Sequence, residues 1–321
     1  MKIFIDITPL RYTFSGIQVF TLNLIREFKK MGEEVIEIEK PFIRLIFSKG
    51  DVYLGPDGRI PFLKRFKIIS TIIHDICFET EPSLFPSNSI KLARKKVKRA
   101  LLKSDVIFVP SEFTKESIKK FYGFEDKIKV VYPGVKIPED ITKTFDVPEK
   151  FFLFVGTVQK RKNLINLVRA FKELSLKEFY LLIAGERGFG FEEIEREIGS
   201  NVIWLKRNLT QEEIFFLYKN CVAFIYPSFC EGFGLPVLEA MISKKPVIAT
   251  PLPVFKEFAQ DGIFYLKGFD KNDIKEGIIY FLQESEENIK NKVLKGYEIA
   301  KNFTWEKTAL KILEKWKEMI L

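Results

Sequence analysis

Histidine, cysteine and methionine are scarce in this chain of 321 residues, which has one histidine, three cysteines and four methionines. The single histidine, His74, excludes a metal site built from several imidazoles and any mechanism that needs two of them. The three cysteines show neither C-x-x-C spacing nor neighbouring histidines, so they do not indicate a zinc site. The sequence therefore predicts no bound metal.

Long apolar runs are also missing. No stretch approaches the roughly 20 apolar residues of a membrane-spanning helix. The first ten residues, MKIFIDITPL, are typical of a short strand and lack the basic start and long apolar core of a signal peptide. We therefore expect a cytoplasmic protein, and the sequence leaves a peripheral contact with the inner face of the membrane open.

The composition is that of a folded protein, with 46% hydrophobic and 30% charged residues. A chain of this length is longer than the chains that usually fold around a single hydrophobic core, and it suits two domains. The formal net charge of +9 admits three kinds of partner: nucleic acid, an anionic membrane surface, or a small substrate that carries phosphate.

Short apolar runs alternate with helical patterns in two successive series, and such alternation predicts parallel sheets with helices on both faces. The segment 138–150, PEDITKTFDVPEK, separates the two series. The fold class is therefore α/β with two doubly wound, Rossmann-like domains, 1–141 and 142–304. Ligands of such folds bind beyond the carboxyl ends of the strands, so we expect the site in a cleft between the facing domains.

The most informative stretch is YPSFCEGFGLPVLEAM, residues 226–241. A strand ends near Tyr226, a glycine loop carries Glu231, and a helix begins near Leu235. Small glycines let backbone amides face a ligand, and the start of a helix offers unpaired N–H groups to phosphate. Carboxylates at Glu231 and Glu239 can accept hydrogen bonds from vicinal hydroxyls of a sugar and a ribose. Two solvated glutamates at an ordinary strand-turn-helix junction are the alternative.

The complete string E-G-F-G-L-P-x-L-E-A resembles the E-x7-E motif of the retaining glycosyltransferases of family 4, which have the GT-B fold. The resemblance implies that Glu231 binds donor-sugar hydroxyls and that Glu239 binds the nucleotide ribose. It adds the backbone amides of Phe233, Gly234 and Leu235 to the donor site. It also implies that the last helix, 305–321, packs back on the N-terminal domain, that domain 1–141 takes the acceptor, and that domain 142–304 binds the donor.

A second segment, FVGTVQKRKNL at 154–164, places a cationic cluster after a strand and a glycine turn. Cations aimed at a diphosphate stabilise the charge that builds on a leaving nucleotide, whereas a solvated basic turn is the simpler interpretation. By resemblance, Lys162 matches the family's phosphate-binding lysine. Thr157 stands where many members have arginine, and Arg161 is our candidate to compensate.

Two further candidates lie in the first half of the chain. His74 follows an apolar strand at its carboxyl end in STIIHDICFETEP, residues 70–82. A lone histidine on an apolar run is more often a packing residue, but the family recurrently has I-H-D here, which implies a contact to sugar hydroxyls. Gly16, next to Ser15 at a helix start, suits an approaching phosphate. Family members often have G-x-G at this turn, and this chain lacks the second glycine.

The predicted helix 91–103, KLARKKVKRALLK, carries seven lysines or arginines and no acid. A basic amphipathic helix can lie on an anionic membrane. A solvated helix face over buried apolar residues is an equal alternative.

These observations favour a metal-independent, retaining glycosyltransferase that needs no cofactor beyond its nucleotide-diphosphate sugar. The resemblance to surface-polysaccharide mannosyltransferases favours mannose from GDP-mannose, with a polysaccharide or lipid-linked glycan as acceptor. An NAD-dependent Rossmann enzyme is the first alternative, although no G-x-G-x-x-G follows a strand. A basic protein that binds nucleic acid without catalysis is the second, although no known binding module is present.

Overall fold

The computed structural model describes residues 1–11, 16–39, 49–61, 65–141 and 145–321. These residues form two compact units. Unit 1 consists of Met1–Gly134 together with Phe303–Leu321, and unit 2 consists of Val135–Asn302. The division after Gly134 lies seven residues before the expected boundary at 141/142, and the C-terminal helix belongs to unit 1.

Unit 1 contains a sheet of six parallel strands in the order β2-β1-β3-β4-β5-β6. The inner strands FKIISTI and VIFV are mostly apolar and, apart from Lys67, buried on both faces, as in sheets covered by helices on each side. Its strands are β1 (Lys2–Asp6), β2 (Glu34–Ile38), β3 (Gly50–Gly55), β4 (Phe66–Ile72), β5 (Val106–Val109) and β6 (Ile128–Val130).

The helices of unit 1 begin and end where the sequence has capping residues. Ser111 accepts a hydrogen bond from the backbone N–H of Thr114 and starts a helix that ends at Gly123, which has a left-handed backbone. The helices are α1 (Gly16–Lys30), α2 (Cys77–Thr80), α3 (Ser87–Lys103), α4 (Glu112–Tyr122) and, at the C-terminus, α12 (Trp305–Ile320).

The C-terminal helix α12 is an integral part of unit 1. Trp316 is fully buried between Phe28 and Phe108, and Trp305 packs edge-to-face on Phe20 at 5.1 Å between ring centroids. Aromatic side chains of this size dominate the apolar area that a core buries. The last helix therefore completes the hydrophobic core of the unit that contains the first residues of the chain.

Unit 2 contains a second sheet of six parallel strands in the order β12-β11-β10-β7-β8-β9. All five residues of its strand FFLFV are buried, which explains the uninterrupted apolar run in the sequence. The strands are β7 (Phe151–Val155), β8 (Tyr180–Ala184), β9 (Val202–Leu205), β10 (Ala223–Tyr226), β11 (Val247–Ala249) and β12 (Phe264–Tyr265).

Capping boxes at Thr210–Glu213 and Asp270–Asp273 start two helices of unit 2. The helices are α5 (Leu164–Leu174), α6 (Phe191–Glu197), α7 (Gln211–Asn220), α8 (Leu235–Ile242), α9 (Pro253–Phe258), α10 (Lys271–Gln283) and α11 (Glu286–Ala300). None of the helices in the described part of the chain combines the length and apolarity that a membrane crossing requires.

Candidate active site

Two loops of unit 2 meet because their strands are neighbours. β7 and β10 pair in parallel, so their carboxyl ends lie at the same edge of the sheet. The loop after β7 forms a 3₁₀ turn at Lys160–Lys162, and the backbone N–H of Phe229 in the loop after β10 donates to the carbonyl of Arg161 at 2.9 Å. This hydrogen bond ties the cationic turn to the glutamate loop.

Glu231 is paired with both of the predicted cations. Its Oε1 lies 2.6 Å from Lys162 Nζ, and its Oε2 lies 3.1 Å from Arg161 Nη1. The side chains of Lys162 and Glu231 are each 7% exposed. The same Arg161 nitrogen donates to the carbonyl of Cys230 at 3.0 Å. The structure thus brings together three residues that lie up to seventy positions apart in the sequence.

The charge state of Glu231 follows from these partners. Burial by itself raises the pKa of this carboxyl, but the charges of Lys162 and Arg161 outweigh it and lower the pKa from 4.5 to about 2. Glu231 is therefore a carboxylate at every physiological pH. A buried carboxylate with two cations can accept further hydrogen bonds from hydroxyl groups, and the cations can take up part of the charge of a diphosphate.

The glycine before helix α8 is required by its backbone. Gly234 has φ of 102°, in the region that side chains disfavour, and a Cβ atom there would lie 2.5 Å from the ring of Phe255. Pro236 occupies the first turn of α8, where its missing N–H costs nothing. The first N–H groups of a helix have no partner within the helix and can donate to an anion. The backbone of Gly234 and Leu235 forms this start of α8.

Glu239 lies on α8, one turn beyond its start, and has a different environment from Glu231. Its side chain is buried, and its Oε2 accepts a hydrogen bond from the hydroxyl of Tyr218 at 3.1 Å. Burial raises the pKa of Glu239 from 4.5 to about 7, and the Tyr218 hydrogen bond only partly opposes this. Glu239 is therefore partly protonated at neutral pH.

Phe233 supports the loop from within. It is 5% exposed and stacks on Phe258 with 4.4 Å between ring centroids. Its side chain therefore belongs to the core of unit 2, and only its backbone is available for the role that the resemblance implies.

His74 lies in unit 1, directly after strand β4. Its Nε2 contacts the carbonyl of Pro56 at 2.7 Å, and its ring packs edge-to-face on Phe20 at 5.2 Å. Because a carbonyl only accepts, Nε2 carries the proton and donates it. Burial lowers the pKa of His74 below 6.5. The imidazole is thus neutral at pH 7, with Nδ1 as a hydrogen-bond acceptor.

The remaining predicted residue of unit 1 is Gly16, which is the exposed first residue of α1. Its neighbour Ser15 lies outside the described residues. Asp75 accepts a hydrogen bond from the backbone N–H of Cys77 at 3.0 Å and so starts the short helix α2. This contact gives Asp75 a structural task in the loop after His74.

Two residues of the cluster were missed from the sequence, Tyr226 and Tyr218. The hydroxyl of Tyr226 contacts Lys162 Nζ, and the hydroxyl of Tyr218 contacts Glu239. Both side chains are fully buried. In the sequence, Tyr226 is the last residue of an apolar strand. Its position at the carboxyl end of that strand is the one signal that could have predicted it as a site residue.

A basic surface lies on α3, whose Lys91, Lys95 and Lys98 are exposed and make no ion pair with any residue that the structure describes. Leu92 and Leu102 on the same helix are 69% and 67% exposed. Helical spacing places these five side chains on one broad face, whereas Val97 and Leu101 are buried in the core of unit 1.

Within the described residues, no three histidine, cysteine, aspartate or glutamate side chains come together in a group that could hold a metal ion.

Comparisons with known proteins identify the family. The model of the glycosyl transferases group 1 matches residues 137–295, and that of Glycosyltransferase Family 4 matches residues 72–137. An uncharacterised glycosyltransferase from Methanocaldococcus jannaschii is 30% identical over 295 residues, which cover 90% of this chain and 79% of that protein. O-antigen chain mannosyltransferase B from Escherichia coli is 26% identical over 289 residues, 84% of this chain and 74% of that protein.

The solved structures agree on the fold. Alr3699/HepE from Anabaena, crystallised with UDP and glucose, superposes with a TM-score of 0.75 at 17% identity and covers 99% of both chains. The predicted fold class, two doubly wound α/β domains of the GT-B type, is thereby confirmed. Of the three functions that the sequence left open, the relatives support sugar transfer. The chain belongs to the glycosyltransferases of family 4 and is a glycosyltransferase.

Proposed function

We propose that this enzyme transfers a hexose from a nucleotide-diphosphate sugar to a hydroxyl of a glycan, with unit 2 as the donor-binding domain. The observation that carries this proposal is the cluster of Glu231, Lys162 and Arg161 beside the start of α8. One buried carboxylate for hydroxyls and two cations for a diphosphate are the groups that an activated sugar requires. The UDP in the HepE crystal supports a nucleoside diphosphate as the ligand class.

In this proposal the bond between the anomeric carbon and the diphosphate oxygen breaks, and the nucleoside diphosphate leaves with the electron pair. The acceptor hydroxyl forms the new bond on the same face of the sugar, and its proton passes to the departing diphosphate. Lys162, Arg161 and the N–H groups at Gly234 and Leu235 neutralise the developing charge, so that no metal is needed. Loss of one such donor typically costs about 3 kcal/mol of activation free energy.

The other residues take supporting tasks. We assign Glu239, eight residues after Glu231 on α8, to the ribose hydroxyls. His74 offers its neutral Nδ1 to a sugar hydroxyl, and Gly16 keeps the start of α1 open to phosphate. We assign the acceptor side to unit 1, to which both residues belong.

Mannose from GDP-mannose is our preferred donor, with a polysaccharide or lipid-linked glycan as acceptor. The name of the Escherichia coli relative, an O-antigen chain mannosyltransferase, supports this choice. Retention of the anomeric configuration completes the proposal, and the anomer of the product, read by its proton coupling constant, tests it.

The decisive experiment is a thermal-shift screen against nucleoside diphosphates and nucleotide sugars, each with a chelator and with added Mg²⁺. A donor at 100 times its dissociation constant should stabilise the protein by about 2.7 kcal/mol, equally with and without metal. Glu231→Gln should abolish transfer. The matched control is Glu178→Gln, because Glu178 is exposed and pairs with Lys150 outside the cluster. Normal transfer by Glu231→Gln, or no stabilisation by any nucleotide, would refute the proposal.

The basic face of α3 adds a proposed location, the cytoplasmic face of an anionic membrane. Three exposed lysines that form no ion pair with the described residues each contribute about 1 kcal/mol near such a surface, and the exposed Leu92 and Leu102 can enter the headgroup boundary. Reversing Lys91, Lys95 and Lys98 to Glu should therefore weaken binding to phosphatidylglycerol vesicles at least 100-fold.

The control for this test reverses Lys219, Lys256 and Lys290, which are exposed lysines of unit 2 and give the same change in net charge. It should leave most of the vesicle binding intact. Equal losses in both triple variants would mean that total charge, and not the α3 face, drives the association.

A further inference from the structure

Tyr226 occupies an unusual place for a hydroxyl group. It is the last residue of β10, is fully buried, and has its ring between Phe154 and Phe224, with centroid distances of 5.6 Å and 5.5 Å and interplanar angles of 21° and 26°. Aromatic stacking fixes the plane of the ring and therefore the position of its hydroxyl oxygen.

That hydroxyl lies against Lys162. The Lys162 ammonium donates to the Tyr226 oxygen and lies 4.8 Å from the centroid of its ring. Burial, assisted by the negative charge of Glu231, raises the pKa of Tyr226 well above 10, so the phenol stays protonated and neutral. Tyr226 thus holds the ammonium by a hydrogen bond, without neutralising its charge.

This second contact has a consequence for Lys162. Glu231 Oε1 holds the ammonium from one side at 2.6 Å, but one such contact fixes the distance of Nζ from the carboxylate and not its direction. The phenol oxygen supplies a neutral acceptor that fixes Nζ in one place. An ammonium fixed before the donor arrives costs no reorganisation when charge develops on the leaving group.

We propose that Tyr226 is a positioning residue, which acts on sugar transfer by holding Lys162 in place for the donor diphosphate. This inference rests on the proposed function, because it assumes that Lys162 stabilises the leaving diphosphate. The fully buried hydroxyl of Tyr226 itself does not touch the donor.

The test is a double-mutant cycle with Tyr226→Phe, Lys162→Ala and the combined variant. The probe is GDP release from GDP-mannose, or from whichever nucleotide sugar gives the largest thermal shift. Tyr226→Phe removes one oxygen atom and keeps the ring stack, so we expect a folded protein. Its kcat should fall roughly 10-fold to 100-fold, with the donor KM changed less than about threefold. In the Lys162→Ala background the same change should have a much smaller effect on kcat, because the only contact left to the hydroxyl within this cluster of described residues is with Glu231.

Tyr265→Phe is the control, because it removes a phenol hydroxyl that donates to the carbonyl of Phe255 at 3.1 Å in the same unit. It should keep the kcat of the native protein. An unchanged kcat in Tyr226→Phe, or equal losses from it with and without Lys162, would overturn the role of Tyr226 while leaving the proposed function in place. Native activity in Lys162→Ala would overturn the role of Lys162 as well. A Tyr226→Phe protein that is less stable but transfers at the native rate would show a packing role only.

Discussion

Replacing Glu239 by Gln tests the environment of this residue through the pH dependence of stability. The carboxyl has a pKa of about 7 in the folded protein and 4.5 when it is exposed to solvent. Between these two pH values the unfolded chain has lost the proton and the folded chain has kept it. The folded state is therefore penalised progressively as pH rises through this window, and the penalty is constant above pH 7.

The magnitude follows from the two pKa values. At about 1.36 kcal/mol per pKa unit, a rise from 4.5 to about 7 makes the penalty about 3 kcal/mol at pH 8. Gln has the same shape, carries no charge at any pH, and can still accept the hydrogen bond of Tyr218. The free energy of unfolding of Glu239→Gln, relative to that of the native protein, should therefore increase by about 3 kcal/mol as pH rises from 4.5 to 8.

The assay is denaturant unfolding of both proteins at half-unit steps of pH, followed by tryptophan fluorescence, to which Trp204 contributes from unit 2. The difference between the two proteins cancels every other titrating group. For a unit of this size, about 3 kcal/mol corresponds to roughly 6 to 12 °C in melting temperature. A difference that stays constant with pH would refute the raised pKa, and one that falls with pH would show that Glu239 has a charged partner.

Three further predictions follow from the same structure. Glu231→Gln should lower the free energy of unfolding by about 3 kcal/mol at pH 7, because the pKa of Glu231 is about 2 in the folded protein and 4.5 in the unfolded chain. In unfolding titrations this loss of stability should shrink as pH falls from 4.5 towards 2. Gly234→Ala should lower the free energy of unfolding by about 1 to 3 kcal/mol because of its positive φ, and by more because the new Cβ meets the Phe255 ring. Phe255→Ala has its own cavity cost, but in a double-mutant cycle it should remove the part of the loss that comes from this clash. His74→Gln, whose amide can still donate to Pro56, should keep the melting temperature better than His74→Ala, and both should lose transfer because both lack Nδ1. Full transfer by either His74 variant would remove this residue from the site.

Most of the fold could be predicted because its elements leave strong local signals. Buried parallel strands such as FFLFV are continuous apolar runs, and the capping box at Thr210 marks a helix start without any tertiary information. Short elements leave weaker signals. β12 has two residues, α2 has four and α9 has six, so none extends over enough residues to show a period.

The site was harder to predict because its geometry depends on long-range pairing. Lys162 and Glu231 could each be chosen from the sequence, but their mutual contact at 2.6 Å depends on β7 and β10 being neighbours, although β8 and β9 lie between them in the sequence. The sequence assigned one residue to a diphosphate and the other to a sugar. The structure adds that each is the other's partner before any donor arrives, so donor binding has to share or replace this ion pair.

Glu231 and Glu239 belong to the same ten-residue motif and are both buried, yet they differ in charge. Burial raises the pKa of each. Among the described residues, Glu231 has two cations within hydrogen-bond distance and Glu239 has none, so the pKa of Glu231 falls to about 2 while that of Glu239 rises to about 7. A permanent carboxylate accepts from hydroxyls at any pH, whereas a carboxyl that titrates at neutral pH accepts best in its ionised form. If Glu239 binds the ribose, nucleotide affinity should increase from pH 6 to pH 8, and calorimetric titration of GDP at these two pH values would detect the increase. In Glu239→Gln this increase in affinity should disappear. If the increase remained in that variant, the pH dependence would come from the diphosphate or from another group.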